Sequence, residues 1–207
     1  MRLSPIVKRE RTNGRIINTR KNDSRKNDKD PKKNMKAKRI LRILAIVTIL
    51  ISNVGCDQIS KNIVRKRIHD NEEISLMNNY LTLTKIENSG AFFSIGNSLP
   101  QPIKLLLLTI LPMVALGLIF IYLLTKKNLT NTAIIGICFI IGGGAGNIYD
   151  RLVYGSVTDF LHIDFVIFQT AIFNMADVSI MAGVFAIVID AFRSRFNYLA
   201  IDRRDRP

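Results

Sequence analysis

Apolar residues fall into four blocks, at about residues 40–60, 103–124, 133–149 and 171–192. A helix that crosses a bilayer needs about 20 predominantly apolar residues. The second and fourth blocks reach that length. The first and third end in polar residues, which are expected to face the bundle interior or the interface. Between the first two blocks, Leu81-Thr82-Leu83-Thr84-Lys85-Ile86 alternates apolar and polar, the period of a half-exposed strand. Asn78-Asn79 before it and Asn88-Ser89-Gly90 after it are turn signals. The pattern predicts an all-α integral membrane protein of four transmembrane helices over residues 39–195. A small extracytoplasmic β-sheet element is expected to lie against the helix tops.

Charge gives this scheme an orientation. Of 207 residues, 48% are hydrophobic, yet the formal net charge is +14, much of it before Ile43. Residues 1–38 are rich in Lys, Arg and Asn and lack aromatics, so they read as a disordered basic tail that could not offset its ordering entropy. Because an apolar block follows at once, the tail suits anionic lipid on the cytoplasmic side better than nucleic acid. Met35-Lys36-Ala37-Lys38-Arg39-Ile40 also resembles a natural start, which would make the leader a dispensable extension.

Lys126 and Lys127, and the basic residues that follow Phe192 into a tail at 196–207, fall on the leader's side of four spans. By the positive-inside rule both termini are then cytoplasmic. Segments 61–102 and 150–170 are left outside. Arg65-Lys66-Arg67 breaks the rule, and Asp70, Glu72 and Glu73 are expected to offset it. Cys56 and Cys138 show neither zinc nor disulfide spacing and read as small apolar side chains. His69 and His162 lack matching ligand partners, so no metal site is expected.

The polar residues beside the spans carry the chemistry. Asp57 and Lys61 are four apart and can pair on one helix face. Asn88 can donate and accept through one amide, and Gly90 allows close backbone approach. Gly143 and Asn147 share a face in a glycine-rich helix end, where small residues let backbones approach closely. Asn147, Asp150 and Arg151 together suggest a polar network, with the Arg151 fork suited to carbonyls or carboxylates. Asp190 is expected to pair with Arg193.

Asp159, in an outer loop, and Asp177, near a helix end, are eighteen positions apart and could converge, with Asn174 on nearly the same face as Asp177. Carboxylates near hydrocarbon are costly and usually functional. Two close acids cannot both ionise easily, and one could activate water while the other protonates a carbonyl. A capping Asp177 with an unrelated Asp159 fits the residues alone equally well.

These blocks together resemble the lipoprotein signal peptidases, or signal peptidase II. The resemblance rests on Asp57-Gln58 with Lys61; Asn88 with Gly90, Ala91 and Phe93; Gly143 with Gly146, Asn147, Asp150 and Arg151; Val157 with Asp159 and Phe160; and Phe173-Asn174 with Ala176 and Asp177, in the family's order over about Arg39 to Arg195. The departures are Phe92, where the family often has Ala, and the long leader.

The resemblance implies a cofactor-free aspartic endopeptidase of the bacterial cytoplasmic (inner) membrane, with its active site near the outer leaflet. Its substrates would be diacylglyceryl-modified prolipoproteins, cleaved before the lipidated cysteine, and globomycin-like inhibitors would occupy its groove. Asp159 and Asp177 would be the catalytic pair. Asn88, Gly90, Gly143, Asn147, Arg151 and Asn174 would line the site, with Asp57 and Lys61 in support. Strand addition along Leu81–Ile86 could clamp the substrate. Two other readings remain: a small transporter with an intramembrane carboxylate path, and a lipoprotein anchored at Cys56.

Overall fold

The computed structural model describes the backbone of residues 10–12, 15–17, 31–69, 72–91, 96, 98–165 and 168–204. It divides into two units, Met1–Leu41 and Arg42–Pro207. In the first unit, β1 (Glu10–Thr12) pairs antiparallel with β2 (Arg15–Ile17). Helix α1 (Pro31–Arg67) starts within the leader, so residues 31–38 are helical where a disordered tail was expected. The remaining leader residues, and the end of the C-terminal tail at 205–207, lie outside the described residues.

The chain is mostly helical. Among the described residues, four helices are long and apolar enough to cross a membrane: Met35–Arg67, Gln101–Thr125, Asn131–Tyr154 and Met175–Phe196. The first, at 33 residues, spans about 50 Å and outruns a hydrocarbon core of about 30 Å. Its last turns, with Lys61 and Arg65, therefore extend beyond the apolar run. The second span joins α2 (Gln101–Lys104), a π-helical stretch at Leu105–Ile110 and α3 (Leu111–Thr125). Pro112 cannot donate a backbone hydrogen bond, and the wider π turn just before it accommodates that loss.

Helix α4 (Asn131–Tyr154) is the central span. Thr130 caps its start by accepting from the Ala133 N–H at 3.0 Å. Gly155, at φ 77°, ends it in the left-handed conformation that glycine adopts without strain. Helix α5 (Met175–Arg204) packs against α4 at two glycine contacts two turns apart. Gly136 faces Gly183, and Gly143 faces the Ala176 carbonyl, with no room for a Cβ at any of these glycines. Below the polar end, Ile46, Leu123, Ile137, Cys138 and Ile141 form a buried apolar core. At the opposite end from the sheet, Arg42 ties α1 to the end of α3 by donating to the carbonyls of Leu123 and Lys126, both at 2.8 Å. Asp190 accepts from Thr130 at 2.6 Å, in place of the expected Arg193 pairing.

The small sheet is antiparallel in the order β3 (Glu73–Leu76), β4 (Leu81–Asn88), β5 (Val157–Phe165), β6 (Phe168–Gln169). Asp159 thus sits in a strand and not in a loop. Over Leu81–Thr84 strand β4 is paired on both sides, so strand addition has no free edge along that part of Leu81–Ile86. Between Leu83 and Ile86 the register slips, leaving Thr84 and Lys85 opposite Phe160 alone. Such a bulge re-aims the neighbouring side chains. The fourth span begins at Met175 and not at residue 171, because Phe173 is held in an extended bridge to Leu161.

Close α4–α5 contact makes a specific prediction. Gly143→Ala drives a methyl group into the Ala176 carbonyl, whereas Gly144→Ala meets only the flexible Leu116 side chain. Gly143→Ala is expected to cost about 1–3 kcal/mol and Gly144→Ala much less, as measured by thermal unfolding in detergent.

Candidate active site

The polar residues singled out in the sequence come from five elements and meet at one end of the bundle: the end of α1, the end of α4, the start of α5, the end of β4 and the start of β5. The two acids eighteen positions apart converge because the chain doubles back. Phe173 donates to the Leu161 carbonyl at 2.9 Å and accepts from the N–H of Leu161 at 2.8 Å. This ladder sets the entry to α5 beside Asp159.

Asn174 then links the acids. Its Nδ2 donates to Asp159 Oδ1 at 2.7 Å, and its backbone N–H donates to Asp177 Oδ2 at 3.1 Å. Its own Oδ1 accepts from the Asp177 N–H at 3.0 Å. Asn174 and Asp177 therefore cap α5 reciprocally, three residues apart, in the manner of a capping box. The capping role weighed from the sequence is present, and it coexists with convergence on Asp159. Asn88 Nδ2 donates to Asp159 Oδ2 at 3.0 Å, and Asn147 Nδ2 donates to Asp177 Oδ1 at 2.9 Å. Each carboxylate is thus oriented by two asparagines.

Behind them lies a fully buried ion cluster. Lys61 Nζ is 2.9 Å from each of Asp57 Oδ2, Asp150 Oδ2 and Asn147 Oδ1. Asp57 Oδ1 accepts from the Ala176 N–H at 2.9 Å, so the cluster also grips the first turn of α5. Gly146 lies directly against the Asp57 carboxylate. Arg151 Nη2 donates to the Gly90 carbonyl at 2.9 Å, and the Gly90 N–H donates to Asn88 Oδ1 at 2.9 Å. The Arg151 Nε is buried without a partner. Nine of the ten residues selected from the sequence join this network. Gly143 acts one turn away, through helix packing. Phe92 and Phe93 lie outside the described residues.

Sequence reading missed a second layer. Arg65 turns inward, 3.0 Å from Asp150 in an ion pair whose alignment falls outside hydrogen-bond geometry, and its guanidinium lies 3.9 Å over the Tyr154 ring. Its Nε donates to Thr158 Oγ1 at 2.8 Å, and that hydroxyl donates to Glu87 Oε1 at 2.8 Å. Arg65 is therefore not offset by the outer acids. Glu72 sits 3.2 Å from His69, and Asp70 lies outside the described residues. The signal was available, because Arg65 is four residues after Lys61 and so on the same helix face. Deeper in the bundle, Ser179 donates to Asn53 and lies 3.1 Å from the Phe139 carbonyl, a polar knot joining α1, α4 and α5.

The family model described as signal peptidase (SPase) II matches residues 47–193. The chain belongs to that family. A protein of Streptococcus agalactiae serotype V named lipoprotein signal peptidase is 35% identical over 155 residues, covering 75% of this chain and 95% of its own length. Its namesake in Aquifex aeolicus is 35% identical over 147 residues, covering 70% and 84%. A bacterial membrane enzyme solved in meso at 1.9 Å resolution is 26% identical, with a TM-score of 0.63 over 72% of this chain and 93% of its own. Another, at 2.3 Å resolution, has a TM-score of 0.67 over 75% and 92%, and at 24% identity it supports the fold alone. This signal peptidase II family member is a multi-pass membrane protein and a peptidase by family.

The peptidase holds one acid in a distinctive state. Burial pushes the Asp159 carboxyl up from 3.8 to about 6, and the charge of Asp177 adds to the shift, against the opposing hydrogen bonds from Asn88 and Asn174. Between about pH 4 and 6 the folded protein therefore keeps a proton that the unfolded chain has released. That contribution to stability is complete below pH 3.8 and is lost as pH rises through about 6. Asn88→Ala removes a donor that favours the ionised form, so it is expected to raise the Asp159 midpoint further. Infrared titration of the carboxyl band, with Asp159→Asn as the blank, reads that shift. Lys61→Met strips the buried Asp57 of its cation and leaves Asp150 with Arg65 alone, and is expected to cost about 3–5 kcal/mol, measured as loss of folded protein on thermal challenge in detergent.

Proposed function

We propose that the chain is an aspartic endopeptidase that removes signal peptides from diacylglyceryl-modified prolipoproteins, cleaving before the lipidated cysteine, with Asp159 and Asp177 as the catalytic pair. The observation that carries this reading is the bridge through Asn174, whose side chain and backbone each donate to one of the two acids. Family membership supports the substrate class.

The chemistry follows from the asymmetry of the pair. Asp159 is almost fully buried and holds a proton more readily than an ordinary carboxyl. Asp177 lies at the first turn of a helix, where the helix dipole favours negative charge. With one proton shared, Asp177 as carboxylate removes a proton from the attacking water, and Asp159 as acid protonates the scissile carbonyl. Collapse of the tetrahedral diol then breaks the C–N bond, passes the first proton from Asp177 to the leaving amine and returns a hydroxyl proton to Asp159, which restores the pair. Arg151 and Asn88 hold the Gly90 segment against the site, and no cofactor is required by this scheme.

The arrangement suits a substrate that is itself a membrane helix. In this reading the network faces the outer leaflet of the bacterial cytoplasmic membrane and both termini are cytoplasmic. Residues 39–195 form the peptidase domain, flanked by basic tails. Lipid surrounds the spans, and a globomycin-like peptide would compete for the same groove. A transport path would require polar groups through the depth of the bundle, but the buried core that contains Ile46, Leu123, Ile137, Cys138 and Ile141 is apolar. Helix α1 runs unbroken through Cys56, which disfavours cleavage and lipid attachment there.

Cleavage of a diacylglyceryl prolipoprotein by purified enzyme tests the assignment. Asp159→Asn and Asp177→Asn are each expected to reduce turnover at least about a thousandfold while the protein still inserts and keeps its unfolding temperature. Appreciable turnover by either variant would reject the dyad.

A further inference from the structure

The four spans do not account for the far end of the sheet. Strands β4 and β5 run antiparallel, with Asn88 opposite Val157 at one end and Leu81 opposite Ile163 at the other. The acids belong to the first end. Both hairpin tips belong to the second, since the Asp164 N–H donates to the Tyr80 carbonyl at 3.0 Å and Phe165 pairs with Phe168. From Asn88 to Leu81 the strand covers about 23 Å, so the tips lie well away from the polar network.

Beside the polar residues Asn78, Asn79 and Asp164, that far end carries large uncovered apolar side chains. Met77 is 74% exposed, Phe168 64%, Phe165 55% and Tyr80 48%. From Ile74 to Thr84 there is no charged residue, and the stretch from Phe165 to Phe168 reads Phe-Val-Ile-Phe. Asn78-Asn79 is an ordinary polar turn and Asp164 borders the second tip, but the charges that hairpin ends in water usually carry along their edges are missing from Ile74 to Thr84. Large uncharged side chains gathered at one exposed end instead mark a surface that something else covers.

The covalent connections say what covers it. Strand β3 starts six residues after α1 ends, β5 starts three residues after α4 ends, and α5 starts six residues after β6 ends. The sheet therefore leaves the bundle at the membrane boundary itself. At that level α4 presents Tyr149 and Tyr154 outward, half exposed, as the aromatic side chains of a headgroup belt do. We propose that the far end of the sheet, through Phe165, Phe168, Met77 and Tyr80, rests in the headgroup–acyl boundary of the bilayer. The sheet then lies along the lipid surface and does not project from it. This contact needs no assumption about which acids are catalytic.

The chain contains no tryptophan, so Phe168→Trp and Phe165→Trp each introduce a single fluorophore, and Met77→Trp reports on the other hairpin. The full chain is reconstituted in vesicles of phosphatidylcholine and phosphatidylglycerol whose acyl chains carry bromine either near the headgroup or near the bilayer centre. All three reporters are expected to emit at shortened wavelength. Shallow bromine is expected to remove about half of the emission, with deep bromine and aqueous iodide removing far less. Water-like emission with strong iodide quenching overturns the proposal. Shielding from both iodide and bromine also overturns it, since that result means a protein partner or a second copy covers the tip.

Discussion

One ammonium group organises this end of the molecule. Lys61 has three N–H donors and no access to water, so it is tolerable only with acceptors fixed around it. Those acceptors are Asp57, Asp150 and Asn147, and each is committed elsewhere as well. Asp57 holds the first turn of α5, Asn147 reaches Asp177, and Asp150 lies beside Arg65 and the Thr158 N–H. A cation that must be neutralised therefore fixes the relative positions of the two elements that carry the acids. Hydrophobic packing alone would set those positions less sharply, because apolar contacts have little directionality.

The glycine contacts complement this directional cluster. In lipid there is little hydrophobic force between helices, so close van der Waals approach has to supply cohesion. Gly136, Gly143 and Gly183 provide that approach along α4 and α5. The α4–α5 contact reaches the site through Ala176, whose carbonyl touches Gly143 and whose N–H binds Asp57. Packing and polar positioning thus converge on a single residue between Asn174 and Asp177.

Much of this was legible in the sequence because the governing signals are local. Four apolar blocks gave the spans, and strict alternation at Leu81–Ile86 gave the central strand. The pairing of Asp57 with Lys61 followed from helical spacing. What escaped detection depends on tertiary placement. Arg65 looked like an outer charge in a basic triplet; its spacing from Lys61 gives its helix face, and Asp150, Thr158 and Tyr154 supply the partners that turn it inward. Asp159 looked like a loop residue because the strand that holds it, Val157–Phe165, begins Val-Thr-Asp-Phe and is buried on both faces at its start, which erases the alternation. The late start of α5 was hidden for the same reason, since Ala171-Ile172-Phe173 is apolar whether helical or extended.

The slip in strand register between Leu83 and Ile86 has an evolutionary corollary. It separates the sheet into a segment whose geometry is dictated by the carboxylates and a segment that is not. Pairs of residues inserted or lost at either hairpin keep the alternation of side chains, so Asp159 keeps its face of the sheet. The reach and greasiness of the hairpins can therefore change while the end of the sheet that holds Asp159 stays constant.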